Sequence, residues 1–544
     1  MATIFILLLH PQSMSLVPYK GLSMLKITNV NVRLGETDYA SVISNELNIP
    51  KRHIKNIKIL RKSIDARRKK VHFIMSFAFS SNHEEKLLKS HKNLSIYKPY
   101  EYNYLPATND HVIVVVSGPA GLFCAYVLAH AGNKVTVIER GSKIEKRVGD
   151  VDRLMREGVL NEKDNIAFGE GGAGTFSDGK LTTGTKNPRI RYVLDTFLAH
   201  GAPLEIGYDA LPHIGTDRLR AVIINMRKEL ESLGTTFMFD TKFVDFYEQD
   251  DKHIAVVENA EGRSELTCDA LVLALGHSAR DTYRMLDQKL EIEPKSFAVG
   301  VRIEQLQSTI NKLQYKQDAS SPYLQAAPYK LAVKTSEGRG VYTFCMCPGG
   351  VVVPSTEKEG YLCVNGMSYY ARDKDNANSA ILVQVNPEDF PEGSLGGIAF
   401  QEEIEKKAYQ LGGHNLKAPV QKVVDYYCHK KSEELGKVKP SYMPGTVLED
   451  INEVFPEYIN RNLKEGLQLM NEKMPGFIDD DTIITAVESR SSAPIRILRN
   501  QDMTATHFNW VYPLGEGAGY SGGIMSSAVD GIRGAEAILK RNEE

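Results

Sequence analysis

Cysteine is scarce in this sequence, with six residues in 544. None of them has the paired spacing of a zinc site, and their irregular positions do not form a disulfide framework, so we expect no metal site and a reducing compartment. An excess of one charge is also missing, because the formal net charge is -2, which excludes a general affinity for polyanions. The length predicts about three domains with a large core. We expect a cytoplasmic protein that does not act on membranes.

Residues 1–23 differ from the sequence that follows. The run Ile4 to Leu9 is similar to the apolar part of a signal peptide, but no basic residues precede it and no small-residue cleavage site follows. The run is also too short to span a bilayer. We therefore predict a disordered upstream extension and take Met24 as the functional start.

Residues 24–105 predict a small α+β module. Its expected elements are strands at Lys26–Leu34, Lys55–Leu60 and Lys70–Phe79 and a helix at Tyr39–Leu47. Between Lys51 and Lys70 there are ten lysines or arginines and one acid, Asp65. Such a run could bind nucleic acid or an acidic partner, but it lacks the aromatic residues that stack on bases. We favour a solvated basic face and do not expect a nucleic-acid partner.

The chain is organised around the stretch from His111 to Gly141. A β-branched run predicts a buried parallel strand, a turn and a small-residue helix follow, and Lys134–Ile138 predicts a second strand that ends at Glu139. This order is typical of a dinucleotide site, in which backbone N–H groups at the start of the helix approach a pyrophosphate and the acid accepts from a ribose hydroxyl. The expected binding residues here are Gly118, Pro119, Ala120, Gly121, Glu139 and Arg140.

Val116 departs from the dinucleotide pattern, because it stands where G-x-G-x-x-G has its first glycine. If the turn requires a positive φ there, a valine is strained by about 1–3 kcal/mol. If Val116 stays extended, the turn must open and the pyrophosphate loses N–H contacts. Either alternative predicts weakened dinucleotide binding.

Several motifs together resemble a known family. The Pro-Ala turn and Glu139-Arg140-Gly141 are similar to FAD-binding oxidoreductases of the glutathione-reductase type. Four further segments narrow the resemblance to a bacterial family of FAD-dependent dehydrogenases that is itself poorly characterised: FGEGGAGTFSDGKL from Phe168, CMCPGG from Cys345, NGMSYYARD from Asn365 and GEGAGYSGGIMSSAVDGI from Gly515. The resemblance extends from about Met24 to the C-terminus.

The resemblance implies an α/β fold. A Rossmann-like FAD-binding domain with a parallel sheet would be formed in two parts, residues 106–292 and 476–544. An inserted antiparallel α+β cap domain, which would carry the substrate site, would occupy residues 293–475. The sequence pattern also predicts an amphipathic helix at Asp150–Lys163.

The resemblance also implies cofactor contacts outside the first turn. The glycine-rich segment would lie along the pyrophosphate and ribityl chain, a strand near residue 244 would pass the adenine, and Glu516 replaces the usual aspartate that accepts from a ribityl hydroxyl. The start of the last helix would face the flavin. The residues concerned are Gly172, Gly174, Thr175, Ser177, Lys180, Val244, Gly276, Glu516, Ser521, Gly522 and Gly523.

Candidate catalytic residues are fewer. His277 follows the carboxyl end of a buried strand, where side chains face the ligand crevice of a doubly wound sheet. Cys345 and Cys347 are either two buried small apolar residues or a thiol pair beside the flavin. Arg490, like Arg302, is a polar group expected on the substrate side.

These features predict an oxidoreductase that moves two electrons at a non-covalently bound FAD, with a small-molecule substrate or electron acceptor. No second glycine fingerprint is present, so NAD(P)H would act only as a transient donor. Two alternatives remain open. The first is a flavin-dependent RNA-modifying enzyme that uses the basic module, and the second is an FAD-deficient, non-catalytic scaffold, because of Val116.

Overall fold

The computed structural model describes residues 24–541, so the extension expected at residues 1–23 lies outside the described residues. The described chain divides into two compact units, residues 24–101 with 194–212 and residues 102–193 with 213–541. No helix within residues 24–541 combines the length and apolar character needed to cross a membrane.

The first unit is an α+β module built on a four-stranded antiparallel sheet with strand order β2-β3-β1-β4. Its elements are β1 (Leu25–Arg33), α1 (Tyr39–Leu47), β2 (Lys55–Asp65), β3 (His72–Ser80), α2 (Glu84–Ser90) and β4 (Leu94–Ile96). Residues 194–212 also belong to this unit, outside the range expected for the module, and a single bridge pairs Lys62 with Asp209.

Strands β5 to β23 form the sheets of the second unit. They are β5 (His111–Val115), β6 (Lys134–Ile138), β7 (Thr236–Met238), β8 (Lys242–Gln249), β9 (Lys252–Asn259), β10 (Gly262–Cys268), β11 (Ala270–Leu273), β12 (Ile292–Pro294), β13 (Phe297–Leu306), β14 (Ala332–Lys334), β15 (Gly340–Cys347), β16 (Val351–Pro354), β17 (Val364–Met367), β18 (Asn376–Val385), β19 (Ala418–Lys422), β20 (Thr446–Leu448), β21 (Ile483–Glu488), β22 (Ile495–Ile497) and β23 (Val511–Pro513).

Ten α-helices follow α2 in the described chain. They are α3 (Pro119–Ala131), α4 (Ile144–Glu157), α5 (Arg189–Ala199), α6 (Thr216–Ser232), α7 (Arg280–Leu286), α8 (Gln307–Tyr315), α9 (Gly396–Leu411), α10 (Val423–Tyr427), α11 (Glu457–Lys473) and α12 (Ile524–Lys540).

A five-stranded parallel sheet, in the order β23-β11-β5-β6-β7, lies at the centre of the predicted cofactor region. Its inner strands, β11, β5 and β6, are almost wholly buried, because a parallel sheet is covered on both faces, and β5 and β6 consist mainly of β-branched residues. Helix α3 connects β5 to β6, and Gly531 of α12 lies directly against the backbone of Ala120 in α3. The predicted α/β class with a parallel sheet is thus confirmed.

Antiparallel sheets make up the remainder of the second unit. The largest has seven strands in the order β14-β15-β18-β13-β21-β19-β20, in which only β19 and β20 are parallel neighbours. The sheet includes β21, so it extends past residue 475, where the cap was expected to end. Strands β8 to β10 form a separate antiparallel sheet, and β12–β22 and β16–β17 are two-stranded.

Helix α4 begins and ends earlier than predicted. The sequence pattern placed it at Asp150–Lys163, whereas the structure has it at Ile144–Glu157. Gly158 ends it by adopting a left-handed conformation, φ 68°, and donating its N–H to Leu154 O. Helices commonly end at a glycine in this conformation. The polar residues after Gly158 are like those of the helix, but they are not helical.

Candidate functional site

The turn between β5 and α3 contains a strained valine. Val116 has a φ of 79°, so the first of the two alternatives for this residue is the one observed. Its N–H donates to Ile138 O at 2.7 Å, which extends the pairing of β5 with β6. Its carbonyl oxygen turns toward α3, where a Cβ added to Gly121 would lie 1.9 Å from it. Gly121, the third glycine of the pattern, is therefore required because Val116, at the first position, directs its carbonyl oxygen there.

The amino end of α3 is free of side-chain caps. Gly118 is the N-cap residue, Pro119 begins the helix, and no side chain of the described chain hydrogen-bonds to this terminus. A Cβ added to Gly118 would meet only a Val116 methyl, at 3.9 Å. Backbone N–H groups of the first turn have no partner within a helix, so this terminus suits an anionic group.

Glu139 connects the turn to the glycine-rich loop. Its carboxylate is buried and accepts hydrogen bonds from Ser117 N at 3.0 Å, Ser117 Oγ at 2.8 Å, Gly141 N at 3.1 Å and Gly169 N at 3.1 Å. An ionised carboxylate offers about four acceptor positions, and these four donors use them. The contact with a ribose hydroxyl stays a prediction, and a bound ribose would have to share or replace one of these donors.

Arg140 points to a different set of partners. One of its guanidinium nitrogens donates to Asp281 Oδ1 at 2.8 Å and Thr282 Oγ1 at 3.2 Å. Its guanidinium carbon lies 4.4 Å from the centre of the Phe168 ring. In the structure, Arg140 therefore joins the end of β6 to α7 and to the start of the glycine-rich loop.

The glycine-rich loop from Phe168 to Leu181 lies against the turn. Gly171 N donates to Ser117 O at 3.1 Å. A Cβ added to Gly172, which has a φ of 64°, would lie 3.1 Å from Gly118 Cα, and one added to Gly174 would lie 3.3 Å from Ile524. The glycines are thus explained by close approach of the loop to the turn and to α12.

Two hydroxyls expected to contact a cofactor are used within the loop. Thr175 Oγ1 donates to Glu170 O at 3.2 Å, and Ser177 Oγ donates to Gly174 O at 2.7 Å. Both residues therefore shape the loop in this structure. Their contact with a cofactor stays a prediction.

Arg147 of α4, which the sequence analysis did not select, holds this loop in place. The side chain is fully buried, and its guanidinium donates to five carbonyl oxygens of the loop and the segment before it. These are the carbonyls of Asn165, Ile166, Gly169, Glu170 and Gly172. Burial lowers the pKa of Arg147 to about 10, and nearby carboxylates oppose that effect. A sequence signal existed, because Arg147 occupies a helical position among the buried residues of α4.

The C-terminal glycine segment reaches the same place. A Cβ added to Gly515 would lie 2.8 Å from Ala120 Cβ, and Gly515 N donates to Asp530 Oδ2 at 2.8 Å. Gly522 and Gly523, at the start of α12, are exposed with no atom within 4 Å of an added Cβ. Ser521 Oγ lies 2.7 Å from Ser527 Oγ. The amino end of α12 is thus open.

His277 and Glu516 form a pair at the carboxyl end of β11. Their Nδ1 and Oε1 atoms are 3.6 Å apart. Gly276 beside them is exposed, with open space around an added Cβ. Val244 stands at the β-bulge where the register of β8 against β9 shifts. A strand residue at a bulge is displaced from the ladder, which is compatible with the backbone contact predicted for it.

Cys345 and Cys347 lie with two cations at the end of β15. The register of β15 against β18 shifts between Phe344 and Cys347, and Cys345 has a φ of 42°. Lys180 Nζ lies 3.9 Å from Cys347 Sγ, and a guanidinium nitrogen of Arg302 lies 3.6 Å from the same sulfur. The structure thus brings together the two predicted thiols, the lysine of the glycine-rich loop and Arg302.

The two thiols differ in acidity. A hydrogen bond from Cys347, together with the charges of Lys180 and Arg302, holds the pKa of the Cys345 thiol well below its usual range in spite of burial. Burial raises the pKa of the Cys347 thiol, and its hydrogen bond to Cys345 raises it further. The two thiols therefore titrate as a coupled pair, in which Cys345 is the more acidic.

Arg302 of β13 organises this cluster. It is fully buried and donates to Cys345 O at 2.5 Å, to Asn378 Oδ1 at 2.9 Å and to Glu488 Oε2 at 2.6 Å. Burial raises the pKa of Glu488 to about 7, although the Arg302 charge acts in the opposite direction. Glu488 and Asn378 were not singled out as site residues, because their contacts depend on strand pairing across the large sheet.

Arg490 belongs to a separate buried ion cluster. Its guanidinium donates to Glu405 at 2.7 and 2.9 Å, to Ser278 Oγ at 3.1 Å and to Glu357. Arg280 pairs with Glu405 as well, at 2.7 Å. Burial raises the pKa of Glu405, but the two arginines hold it well below its usual range. In this structure Arg490 joins the end of β11 to α9, and its catalytic role stays a prediction.

The three glycine-bearing segments fit an extended dinucleotide. The turn, the glycine-rich loop and residues 515–523 meet around the amino end of α3, at distances that exclude side chains on Gly121, Gly172 and Gly515. Space is open beside Gly118, Gly276, Gly522 and Gly523. Two helices, α3 and α12, therefore have amino ends with accessible backbone.

Some solved structures with a likeness to this chain are flavoenzymes. They include a flavin-dependent brominase (14% identity, 79% of this chain and 79% of that chain, TM-score 0.35) and CmlS, a flavin-dependent halogenase (12%, 80% and 60%, TM-score 0.36). A flavoprotein/dehydrogenase from Cytophaga hutchinsonii matches with 11% identity over 80% of this chain and 78% of that chain, TM-score 0.34. At TM-scores this low, none of the three bears on the fold or the function of this chain.

Sequence comparison gives closer matches. A family profile described as "FAD-dependent protein, C-terminal domain-like" matches residues 296–491, and a profile for a domain of unknown function matches residues 24–80. The first profile identifies FAD as the cofactor. The residues that it matches include β21 and end next to Arg490 of the buried ion cluster. An uncharacterised protein of Clostridium beijerinckii is 43% identical over 532 residues, which cover 95% of this chain and 99% of that protein. With this identity over nearly the whole of both sequences, the chain belongs to the same family as the Clostridium beijerinckii protein.

Proposed function

We propose that the protein is an FAD-dependent oxidoreductase that exchanges electron pairs with a small-molecule substrate or electron acceptor. The observation that supports this most is the convergence of three glycine-bearing segments around the uncapped amino end of α3. One such segment alone is common in α/β proteins. Three segments from distant parts of the chain, packed without room for side chains, are expected where backbone must approach a long ligand.

Each part of the site would hold a different part of FAD. N–H groups after Gly118 would bind the pyrophosphate, and Glu139 the adenosine ribose, as in flavoproteins of the glutathione-reductase type. Val244 would contact the adenine through its backbone. Glu516 would accept from the ribityl chain, and the amino end of α12 would stabilise negative charge on the flavin ring. Bound FAD supplies two-electron chemistry at its ring system.

The chain's own residues would then orient the cofactor and bind the substrate. His277 lies beside Glu516 at the open end of β11, where it would face the substrate. Lys180 and Arg302 would attract an anionic or electron-rich substrate toward the thiol pair. NAD(P)H would act as a visiting donor, because the sequence offers no second glycine fingerprint for it. The six free cysteines fit a protein of the reducing cytoplasm.

Flavin release tests the cofactor arrangement. Heat or acid precipitation of the purified protein should release FAD into the supernatant, whereas FMN or a coloured pellet would contradict non-covalent FAD. Gly121→Ala places a Cβ against Val116 O and should abolish FAD retention. Gly149→Ala is the matched control, because Gly149 is exposed on α4 with nothing near an added Cβ, and it should keep normal flavin content.

Anaerobic reduction tests the oxidoreductase function. NADH or NADPH added to the FAD-loaded protein should bleach the flavin absorption, and an added acceptor should restore it. Flavin that is neither reduced by a nicotinamide nor reoxidised by any two-electron acceptor would leave a binding protein instead of an enzyme.

A further inference from the structure

The thiol pair of the large antiparallel sheet has the features of a reactive site in its own right. We propose that Cys345 and Cys347 form a redox-active dithiol, in which Cys345 attacks a disulfide substrate and Cys347 resolves the mixed disulfide. This dithiol would deepen the proposed function. It rests on that function in one respect only: reduced flavin would return the electron pair to the oxidised dithiol. The substrate class of that oxidoreductase would then be disulfides.

The burial of the two thiols assigns their roles. Cys345 is partly exposed, whereas Cys347 has no exposed surface. We therefore assign the attack on a substrate disulfide to Cys345, the less buried residue of the pair. Cys347 Sγ donates to Cys345 O at 3.2 Å, so the resolving thiol lies close to the residue that would carry the mixed disulfide. An accessible attacking thiol and a buried resolving thiol are the arrangement that dithiol exchange needs.

Positive charge surrounds the pair from two elements. Lys180 approaches from the glycine-rich loop and Arg302 from β13, at 3.9 and 3.6 Å from Cys347 Sγ. The nearest opposing charges are Asp178, which is 3.6 Å from Lys180 and also pairs with Arg372, and Glu488, which pairs with Arg302. Both cations lower the pKa of Cys345 and Asp178 raises it. The balance favours a thiolate, which is the nucleophile in disulfide exchange.

The backbone at Cys345 is held in a conformation that cysteine rarely adopts. Its φ of 42° lies in the left-handed region, at the point where two residues of β15 are inserted against one of β18. A β-bulge changes the direction of a side chain, and strained backbone of this kind is concentrated at functional sites. Arg302 fixes the bulge by donating to Cys345 O at 2.5 Å.

An unpaired donor lies beside the thiols. Asn378 is fully buried and stands opposite Cys347 in the register of β18 against β15. Its Oδ1 accepts from Arg302, but its Nδ2 has no hydrogen-bond partner in the described chain. Buried polar groups are rarely left unsatisfied. The unpaired Nδ2 of Asn378 is therefore an unusual feature of the thiol cluster.

The reaction balances without any further oxidant. The Cys345 thiolate attacks one sulfur of the substrate disulfide, a new S–S bond forms, the substrate bond breaks and one thiolate leaves. That thiolate takes the proton of Cys347, whose sulfur then attacks Cys345 Sγ and displaces the second substrate thiolate, which is protonated from solvent. The substrate gains two electrons and two protons. The protein pair supplies both electrons and one of the protons as it becomes a disulfide, and solvent supplies the other proton.

Alkylation of the reduced holoprotein tests the thiolate. Peptide mass spectrometry after a short iodoacetamide pulse at about pH 6.5 should show Cys345 modified about ten-fold or more faster than Cys428, although Cys428 is exposed and Cys345 only partly so. Lys180→Met should bring the Cys345 rate down toward that of Cys428. A Cys345 rate at or below the Cys428 rate in the wild type would overturn the thiolate assignment.

Oxidised glutathione tests the dithiol. The wild type should lose two hydrogen atoms and yield a peptide cross-linked from Cys345 to Cys347, whereas Cys347→Ser should keep one glutathione on Cys345. Cys345→Ser should form neither product, and Cys428→Ser should behave like the wild type. Absence of the cross-link in the wild type, or a glutathione adduct on Cys347 in Cys345→Ser, would overturn the proposal.

The two proposals fail in different ways. Disulfide formation in a protein that releases no FAD on precipitation would refute the flavin function and leave the dithiol standing. Flavin reduction and reoxidation in a protein whose pair never oxidises would refute the dithiol and leave the flavin function standing.

Discussion

The carbonyl oxygen of Val116 fills the space that a side chain on Gly121 would need, since a Cβ added there would lie 1.9 Å from it. This contact packs the turn beneath the first turn of α3. The valine meets this requirement by adopting a φ of 79°, a conformation suited to glycine. The turn therefore keeps the geometry of a dinucleotide fingerprint although one of its glycines is absent.

Replacing the strained residue should improve cofactor binding. In Val116→Gly the positive φ has no steric cost and the two methyls are gone, so we expect FAD affinity to rise by about 1–3 kcal/mol. Titration of FAD into the two apo proteins measures this difference. Equal dissociation constants would mean that the turn is as readily formed with valine as with glycine.

Val116→Ala separates strain from bulk in the same experiment. Alanine keeps a Cβ, and therefore most of the penalty at a φ of 79°, but it lacks the two methyls near the phosphate position. An affinity between those of valine and glycine is expected. A gain in alanine as large as that in glycine would assign the effect to the methyls alone.

Loss of the Glu139 carboxylate should affect both cofactor and fold. In Glu139→Ala, the N–H groups of Ser117, Gly141 and Gly169 lose their buried acceptor. At about 1–3 kcal/mol for each unsatisfied group, we expect the free energy of unfolding to fall by roughly 3 kcal/mol or more and FAD binding to weaken at least about ten-fold. Urea unfolding of the apo protein, with FAD titration, measures both. Unchanged stability would show that water satisfies these groups.

Much of the fold followed from local sequence signals. The predicted bounds of α1 and of β6 agree with the structure. Asp38 caps α1 by accepting from Ser41 N, a β-branched run forms β6, and both signals act within a few residues. The glycines of the turn were selected from their local spacing, whereas those of the C-terminal segment were selected from the family resemblance. Their contacts with a cofactor stay predictions. The predicted position of α4 was wrong because the helix ends at a single glycine, Gly158, and not where its polar composition ends.

The arrangement of the site depends on distant contacts that sequence patterns do not encode. Arg147 contacts carbonyls 18 to 25 residues away, and Lys180 meets Cys347 across 167 residues of sequence. The glycine-rich loop was predicted to serve the cofactor, but its lysine reaches the thiol pair. Such pairings depend on strand order and loop packing, which local propensity does not determine.

Removing the Arg147 side chain should release the glycine-rich loop. In Arg147→Met five buried carbonyls lose their donor and nearby carboxylates lose their counter-charge, so we expect a loss of about 3–5 kcal/mol in the free energy of unfolding and loss of bound FAD. Arg153→Met is the control, because Arg153 lies on the same helix with its side chain 57% exposed, and should change stability by less than about 0.5 kcal/mol. Melting temperature and flavin content distinguish the two variants. Retained flavin in Arg147→Met would show that the loop holds its shape unaided.

The buried carboxyl of Glu488 should make stability depend on pH. Burial raises its pKa to about 7 in the folded protein, from an ordinary value of 4.5. Between these values the folded state binds a proton that the unfolded state has lost, so this contribution is complete below pH 4.5 and disappears as the pH rises through 7. Linkage gives it a size on the order of 3 kcal/mol.

Urea unfolding in buffers that span this range measures the effect. The free energy of unfolding of the wild type should decline as the pH rises, and Glu488→Gln, which cannot titrate, should show a flatter profile. Glu472→Gln removes an exposed carboxylate of α11 and should retain the wild-type decline. If Glu488→Gln declines as steeply as the wild type, Glu488 is ionised throughout the range, and its pairing with Arg302 outweighs the cost of its burial.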